Sequence, residues 1–243
     1  MIRSLCVFCF ALALIVLWGC PLLLYTMLSG DSDLLYRAGV LGARLAVRLA
    51  GVRLAVSGRE RIPSGRAVVF MANHQSNCDP PAIIGLLPPV LMLAKEEFFR
   101  VPILGPAMRL GGFIPIDRRS REKAFQAIDR AAAALAAGHS FLVFPEGTRS
   151  EAGRLLPFKK GIFIMAVKAG APIIPISISG SRKIMPKGKV LITPGEVRVT
   201  FHDPVMTEGF VPEQTGAVEA AVRESIISGL TDEERPLAAD EAV

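Results

Sequence analysis

The sequence has few aromatic residues, few cysteines and few histidines. Aromatic residues make up 7% of the 243 residues, and there are three histidines and four cysteines. With so few aromatics and no nucleic-acid-binding motif, we expect no nucleic acid partner despite a net charge of +6. The cysteines have the spacing of neither a metal site nor a disulfide framework. We therefore expect a reduced compartment, no metal and no bound cofactor.

Formal charge is missing from residues 4–30, a run of 27 residues. A run of that length is sufficient to cross a bilayer. Gly19-Cys20-Pro21 interrupts it, so a kinked or re-entrant pair of helical pieces is an equal alternative. A cleaved signal peptide is a third reading, but no small-x-small cleavage site follows the run.

The next segment, residues 31–56, is predicted to form a basic helix at a membrane surface. At 100° per residue, Arg37, Arg44 and Arg48 fall within a stripe of about 40°, and leucines supply a broad apolar surface. A helix packed on the core with a solvated arginine face is the alternative. The Lys/Arg excess after the apolar run places the remaining body in the cytoplasm. We expect residues 1–54 to anchor the protein to the cytoplasmic face of the inner membrane.

Strands and helices alternate along residues 55–230, which predicts a single α/β domain with a mixed central sheet flanked by helices. Residues 231–243 are polar and acidic, and we expect a disordered tail there. The clearest predictions are helices over 120–137 and 159–169, a strand over 173–179 and a hairpin of 189–193 with 197–201. Pro175 in this strand and Pro172 just before it favour an edge or strand-start position.

His74 and Asp79 are the first candidate site residues. Five residues apart on a helix they would lie about 140° from each other, so contact between them requires a turn. The sequence supplies a buried strand over 67–72, a polar turn and a helix start at Asp79-Pro80, where Asp79 is a candidate N-cap. A His oriented by an Asp is typical of general-base catalysis. Cys78 offers a covalent alternative.

A second set of candidates follows three predicted strands. Lys95 follows the strand at 90–93, and Arg118 follows the strand at 113–116. The third strand, 140–144, leads into a loop that contains Glu146, Gly147 and Arg149. Ligand sites in open α/β sheets lie at such carboxyl ends. The guanidinium group of an arginine matches phosphate, so the pattern indicates a site for a phosphorylated ligand.

Three motifs in this order resemble the glycerolipid acyltransferase family, closest to its 1-acylglycerol-3-phosphate acyltransferases. They are HQSNCD at residues 74–79, GFIPIDR at 112–118 and FPEGTR at 144–149. The resemblance covers residues 68–179. It implies a catalytic pair, His74 and Asp79. It also implies a substrate-binding set, in which Lys95, Arg118 and Arg149 bind the glycerol phosphate and Glu146 and Gly147 shape the pocket.

The function implied by this resemblance is transfer of a fatty acyl group to the free sn-2 hydroxyl of 1-acylglycerol-3-phosphate, which gives phosphatidic acid. The partners implied are lysophosphatidic acid, a membrane lipid surface and an acyl thioester of coenzyme A or of acyl carrier protein. One alternative is the same chemistry on another lysophospholipid or a lyso-aminolipid. Two further alternatives are a metal-dependent phospholipid hydrolase, with His74, Asp79 and Glu146 as ligands, and a non-catalytic adaptor on the membrane surface.

Overall fold

A computed structural model describes residues 1–117 and 119–237. Within them, seven strands form one sheet in the order β1-β7-β6-β2-β5-β3-β4. The strands are β1 (Val52–Ser57), β2 (Val69–Ala72), β3 (Val90–Lys95), β4 (Ile114–Ile116), β5 (Ser140–Val143), β6 (Ile173–Ser179) and β7 (Gly195–Phe201). The β6–β7 pair is antiparallel, and the other neighbours are parallel. The predicted mixed α/β sheet is confirmed.

Helices cover both faces of this sheet. They are α1 (Ile2–Leu14), α2 (Cys20–Ser29), α3 (Asp33–Leu49), α4 (Asp79–Ile84), α5 (Leu104–Leu110), α6 (Arg121–Ala136), α7 (Lys160–Ala169), α8 (Ser181–Ile184) and α9 (Thr215–Ser228). Alternate residues of β2 face opposite cores. Val69 and Met71 pack with α6, α7 and α9, while Phe70 and Ala72 pack with α3 and α4. With both faces covered, the central strands are apolar throughout, as parallel strands require.

The predicted helix ends of α6 and α7 are confirmed. Ser120 caps α6 by accepting a hydrogen bond from the Lys123 N–H at 3.3 Å. Gly170 ends α7 in the left-handed conformation, with φ of 58°.

The charge-free N-terminal run forms a continuous helix over Ile2–Ser29. A π-helical turn, Ile15–Gly19, joins α1 to α2 just before Pro21, so the helix widens there and does not break. Its length and mean hydropathy of 2.6 are sufficient for crossing a membrane, a property shared with signal sequences. Its first turn is fixed to the domain, because the Ser4 hydroxyl accepts a hydrogen bond from the Ile192 N–H at 2.9 Å.

The basic stripe predicted for α3 is only partly present. The Arg44 Nε donates to the Gly85 carbonyl at 2.9 Å, so this side chain ties α3 to the end of α4. Arg37 forms an exposed ion pair with Asp33 at 2.8 Å. Val47 is buried in the core. These contacts fit the alternative of a helix packed on the core.

Strand β6 is central, so the predicted edge position is wrong, whereas Pro172 directly precedes the start of the strand. It lies between β2 and β7 and is buried along its whole length. Pro175 is tolerated because the antiparallel register with β7 begins one residue later, at Ile176 and Phe201. The Pro175 carbonyl still accepts a hydrogen bond from the His202 N–H at 3.0 Å.

The predicted hairpin of 189–193 with 197–201 is wrong. Residues 189–193 are irregular, since the Ile192 N–H donates to Ser4 and the Thr193 N–H donates to the Ile184 carbonyl. Strand β7 instead pairs with β1 along all of Val52–Ser57. The predicted domain boundary between residues 54 and 55 therefore falls inside a strand of the sheet.

The predicted disordered tail is wrong for its first residues. Thr231–Arg235 forms a turn in which the Glu234 carboxylate accepts from the Ser179 hydroxyl at 2.6 Å and from the Gly180 N–H at 2.8 Å. The Glu234 carbonyl accepts from the Leu155 N–H at 2.9 Å. These bonds hold the turn against the end of β6. The rest of the predicted tail, 238–243, lies outside the described residues.

Candidate active site

The turn between β2 and α4 brings His74 and Asp79 into contact. The His74 Nδ1 lies 2.7 Å from the Asp79 Oδ2. The same oxygen accepts from the backbone N–H groups of Gln75, at 2.7 Å, and Ser76, at 2.8 Å. Asp79 is the first residue of α4, and its buried side chain serves this turn and not the helix end. The sequence prediction of an N-cap was therefore wrong, whereas the predicted contact with His74 is present.

His74 is held by its ring and by its backbone. The imidazole stacks on Phe144 with ring centroids 4.2 Å apart, and 17% of the side chain is exposed. The His74 N–H donates to the Glu146 Oε1 at 2.6 Å, and its carbonyl accepts from the Ser150 N–H at 3.0 Å. Because Nδ1 is engaged by Asp79, Nε2 is the nitrogen left to act on a substrate.

Glu146 lies behind His74 and is 2% exposed. Its second oxygen, Oε2, accepts from the Leu156 N–H at 3.0 Å. Burial raises the pKa of this carboxyl to about 8, the charge of Asp79 adds to the rise, and the two N–H bonds and Arg223 oppose it. A side chain so enclosed does not reach a ligand. From this position Glu146 holds the backbone of His74, and its predicted part in shaping the substrate pocket stays a prediction.

Arg223 on α9 is a positioning residue that the sequence analysis missed. Its Nη1 donates to the Leu156 carbonyl at 2.9 Å, and its guanidinium lies 5.3 Å from the centre of the Phe158 ring. Glu146 thus accepts from the N–H of Leu156, and Arg223 donates to its carbonyl. No sequence motif surrounds Arg223, which lies 67 positions from Leu156 in the chain, so only the folded chain reveals the contact.

We expect Glu146→Gln to lower kcat by about tenfold or more, because one buried N–H is left without an acceptor. An amide has one accepting oxygen, so either the His74 or the Leu156 N–H would face the amide nitrogen. Steady-state kinetics should show little change in KM for the acceptor, since Glu146 does not reach the surface. A rise in KM with unchanged kcat would contradict the positioning role.

The pH dependence of stability gives a second measurement of Glu146. A folded-state pKa near 8, against 4.5 for a free carboxyl, favours the protonated form in the folded protein. This contribution to the free energy of unfolding is complete below about pH 4.5 and is lost as the pH rises through about 8. Denaturant unfolding of the parent protein should show a free energy of unfolding that declines as the pH rises from about 4.5 to about 8. This decline should be absent in Glu146→Gln.

Cys78 is buried at 6% exposure, against α3 and Ile184. Burial raises the pKa of the Cys78 thiol to about 12, and the Asp79 charge contributes to the rise. The thiolate is the nucleophilic form of cysteine, so this environment disfavours the covalent alternative.

The predicted cations lie along the carboxyl edge of the sheet. Lys95 ends β3, and its Nζ pairs with the Glu97 Oε1 at 2.9 Å. Arg149 follows β5, and its Nη1 contacts the Asn77 Oδ1. Asn77 lies in the turn between β2 and α4, residues 73–78, which is called the catalytic turn below after its proposed role. Since β5 lies between β2 and β3, Lys95 is roughly two strand spacings, about 10 Å, from the strand that carries His74. The structure thus brings both cations to the His74 edge.

Two other predicted residues complete this comparison. Gly147 has φ of 71°, a left-handed conformation that turns the chain towards Arg149. Arg118 lies outside the described residues.

Among residues 1–117 and 119–237, no three His, Cys, Asp or Glu side chains are grouped to hold a metal ion. The hydrolase alternative therefore gains no ligand set from the described residues.

A serine–histidine contact away from His74 is structural. The Ser177 hydroxyl donates to the Ile226 carbonyl at 2.6 Å, so it accepts from the His202 Nε2 at 2.7 Å. An imidazole that donates to the hydroxyl cannot remove its proton. The contact joins β6 to α9.

The structure contains an apolar groove of about 460 Å³, and Pro80, the residue that follows Asp79 in the chain, lies in its wall. Pro80, Pro81 and Ile84 of α4 form one wall. The other walls come from α1 and the π-helical turn, from α3 and from α5 with Phe113. The groove has the size of a ligand pocket and lies between α4 and the N-terminal helices.

The fold and the site define a class of protein. A family model described as Acyltransferase matches residues 53–179, the part of the chain that carries the His74–Asp79 pair and the Arg149 loop. The chain belongs to the acyltransferase family.

The relatives within this family carry a more specific name. A chloroplastic 1-acyl-sn-glycerol-3-phosphate acyltransferase of Brassica napus is 38% identical over 152 residues, which are 62% of this chain and 44% of the relative. The human 1-acyl-sn-glycerol-3-phosphate acyltransferase alpha is 35% identical over 182 residues, 74% of this chain and 64% of the relative. The chain thus spans about half to two thirds of the length of these curated relatives.

A solved structure matches over nearly the whole chain. The crystal structure of the 1-acyl-sn-glycerophosphate acyltransferase PlsC from Thermotoga maritima superposes with a TM-score of 0.82 at 32% identity. The match covers 94% of this chain and 93% of that one. The sheet and the N-terminal helices are therefore those of a known acyltransferase fold.

Proposed function

We propose that this protein transfers a fatty acyl group from an acyl thioester to the sn-2 hydroxyl of 1-acylglycerol-3-phosphate. The observation that carries the proposal is the 2.7 Å contact between His74 and Asp79 at the sheet edge that also holds Arg149 and Lys95. The names of the relatives agree with this acceptor. Coenzyme A or acyl carrier protein would supply the thioester, and the product would be phosphatidic acid.

The mechanism needs one general base and no acyl-enzyme. The His74 Nε2 removes the proton of the acceptor hydroxyl while its oxygen attacks the thioester carbonyl. The Asp79 carboxylate stabilises the imidazolium that forms. The C–O ester bond forms, the C–S bond breaks, and the departing thiolate takes the proton from His74. Each turnover thus restores the imidazole.

The direct test uses the full-length protein in vesicles with labelled lysophosphatidate. Acyl-coenzyme A and acyl carrier protein thioesters of several chain lengths are supplied in parallel. We expect labelled phosphatidate with at least one of them. If no donor gives phosphatidate above the level of protein-free vesicles, the assignment is wrong.

We expect Arg149→Ala and Lys95→Ala to raise KM for lysophosphatidate by about one to two orders of magnitude, the effect of losing a charged hydrogen bond. The KM for the thioester should change less. Lys168→Ala is a suitable control, because Lys168 pairs with Asp129 on the helical layer away from this edge.

The same variants separate the alternative acceptors. If the cations bind the phosphate, Arg149→Ala should not change the KM for an acceptor that has no phosphomonoester. Equal losses for both acceptors would show that these residues support the fold or the transition state. Higher activity of the parent protein on another lysophospholipid or a lyso-aminolipid would favour that acceptor.

The acyl chain has a site in the apolar groove. Its wall begins at Pro80, next to Asp79, so a chain lying in the groove would have its carbonyl end near the His74–Asp79 pair. Ile84, Ala107 and Met108 line this groove, but most of the lining comes from the N-terminal helix, Ile2–Ser29, and from α3.

We expect Gly39→Leu to shorten the preferred acyl chain. Gly39 lines the groove from α3, and a Cβ there would meet no atom within 4 Å, so leucine would fill the groove without a clash. Turnover of long chains should fall by about tenfold, since one or two lost methylene positions cost about 1–3 kcal/mol. Assays over a chain-length series measure this.

Gly216→Leu is the matched control, because that helical glycine in α9 also faces open space but lies away from the groove. An unchanged chain-length profile in Gly39→Leu would exclude the groove as the acyl site.

The N-terminal helix would seat the enzyme on the cytoplasmic leaflet. Ser4 near its start and Thr26 near its end are both buried against the protein, so the helix lies along the domain. The opposite side is exposed and apolar. Its members include Leu5, Phe8, Leu12, Val16, Leu17, Leu24 and Met27. This arrangement favours a helix embedded in one leaflet, with the groove open to lipid.

A further inference from the structure

The segment Lys187–Leu191, here the 187–191 loop, exposes two aliphatic side chains. Val190 is 72% exposed and Leu191 is 50% exposed. Two lysines lie in the same segment. Lys187 pairs with Glu151 at 2.8 Å, and Lys189 is exposed. Adjacent exposed aliphatic residues beside lysines are typical of segments that enter the headgroup region of a membrane.

Both ends of this loop are fixed, and they are fixed to different parts of the protein. On one side, the Ser76 hydroxyl donates to the Met185 carbonyl at 2.7 Å, and Ser76 forms a β-bridge with Pro186. Ser76 is also a donor to Asp79, so this end touches the catalytic turn. On the other side, the Ile192 N–H donates to the Ser4 hydroxyl of α1 at 2.9 Å.

The second anchor places the loop beside the start of α1. Met1, Ile2 and Leu5 there are exposed at 96%, 81% and 65%. They flank Ser4, whose partner Ile192 immediately follows Leu191. The exposed aliphatic side chains of the loop therefore lie close to the exposed apolar residues at the start of α1.

We propose that the 187–191 loop is a second membrane-contacting element, which inserts Val190 and Leu191 into an anionic bilayer beside the catalytic turn. The inference rests on the proposed membrane docking of the N-terminal helix. Lysines suit anionic headgroups, and aliphatic tips suit the acyl region beneath them. Since the loop touches Ser76 and α1, its insertion holds the mouth of the active site at the lipid surface.

The test places a fluorescent reporter at the tip of the loop. Trp18 is the single tryptophan, so Leu191→Trp in a Trp18→Phe background puts the single indole at position 191. The full-length protein is reconstituted in phosphatidylcholine–phosphatidylglycerol vesicles with or without brominated acyl chains. We expect a blue-shifted emission that brominated lipid quenches. Val211→Trp in the same background is the control, because Val211 is 47% exposed and adjoins the turn Pro212–Gln214, which packs on α7 and α9.

A second variant measures the strength of the contact. Val190→Ser with Leu191→Ser should weaken vesicle partitioning by about tenfold, because each buried methylene adds to membrane affinity. Val211→Ser should leave partitioning unchanged. If the emission of the Leu191→Trp protein stays solvent-like and unquenched while the protein remains vesicle-bound, the loop contact alone is overturned. Failure of the parent protein to bind vesicles would overturn the docking proposal and this inference together.

Discussion

His74→Ala should lower kcat by a factor of about 10²–10⁴, the usual cost of removing a general base. Alanine has no group to take the hydroxyl proton as the ester bond forms. The side chain is 17% exposed, and its loss removes the stacking on Phe144 and the hydrogen bond to the buried Asp79. The Asp79 Oδ2 keeps its two backbone N–H donors. We expect the variant to fold and to bind vesicles. Rates of phosphatidate formation under saturating substrate measure the effect.

His139→Ala is the matched control, because His139 lies in an exposed turn after α6. It should retain full activity. Loss of a general base leaves about a hundredth of the activity or less. If His74→Ala keeps more than about a tenth of the activity, another group accepts the proton. A parallel loss in Cys78→Ser would revive a covalent mechanism, although the buried thiol argues against it.

Asp79→Asn should lower kcat by a factor of about 10²–10⁴, nearly as much as His74→Ala. The Oδ2 atom receives the His74 Nδ1 and two backbone N–H groups. An asparagine oxygen can still accept some of these bonds, but it carries no charge to stabilise the imidazolium. If the amide turns its nitrogen towards His74, the imidazole must accept there, and Nε2 then carries the proton. Such an imidazole cannot act as the base.

The control for charge removal is Asp203→Asn, an exposed partner of Arg61 at 3.3 Å. Its activity should match that of the parent protein. Thermal unfolding of Asp79→Asn should separate a lost charge from a lost fold. A variant that melts far below the parent and recovers activity when cooled would indicate that Asp79 serves the turn and not the reaction.

Local sequence signals predicted much of the architecture. Helix α6 follows from Ser120 and its apolar spacing, and α7 ends at Gly170 as its sequence indicates. The apolar strands β2 and β5 and the polar turn after β2 were also predicted. These features depend on residues close together in the chain, where backbone preferences and caps act directly.

Local signals failed where distant partners decide the outcome. Pro175 favoured an edge position for β6, but the register with β7 begins after Pro175 and leaves the strand central. The segment 189–193 has the residues of a strand, yet Ser4, 188 positions away in the chain, takes the Ile192 N–H. Glu234 looked like part of a free tail, but Ser179 and Gly180 hold it.

The sequence by itself determined the family of the protein, and it predicted the residues of the candidate site. His74 and Asp79 lie five positions apart across a turn, so their contact depends mainly on local backbone geometry. The tertiary structure alone decided that Glu146 positions His74 from behind, and that Arg223 holds the same loop. It also decided that the apolar groove lies between α4 and the N-terminal helices. Burial and long-range hydrogen bonds arise only when the chain is packed, so no pattern in the sequence encodes them separately.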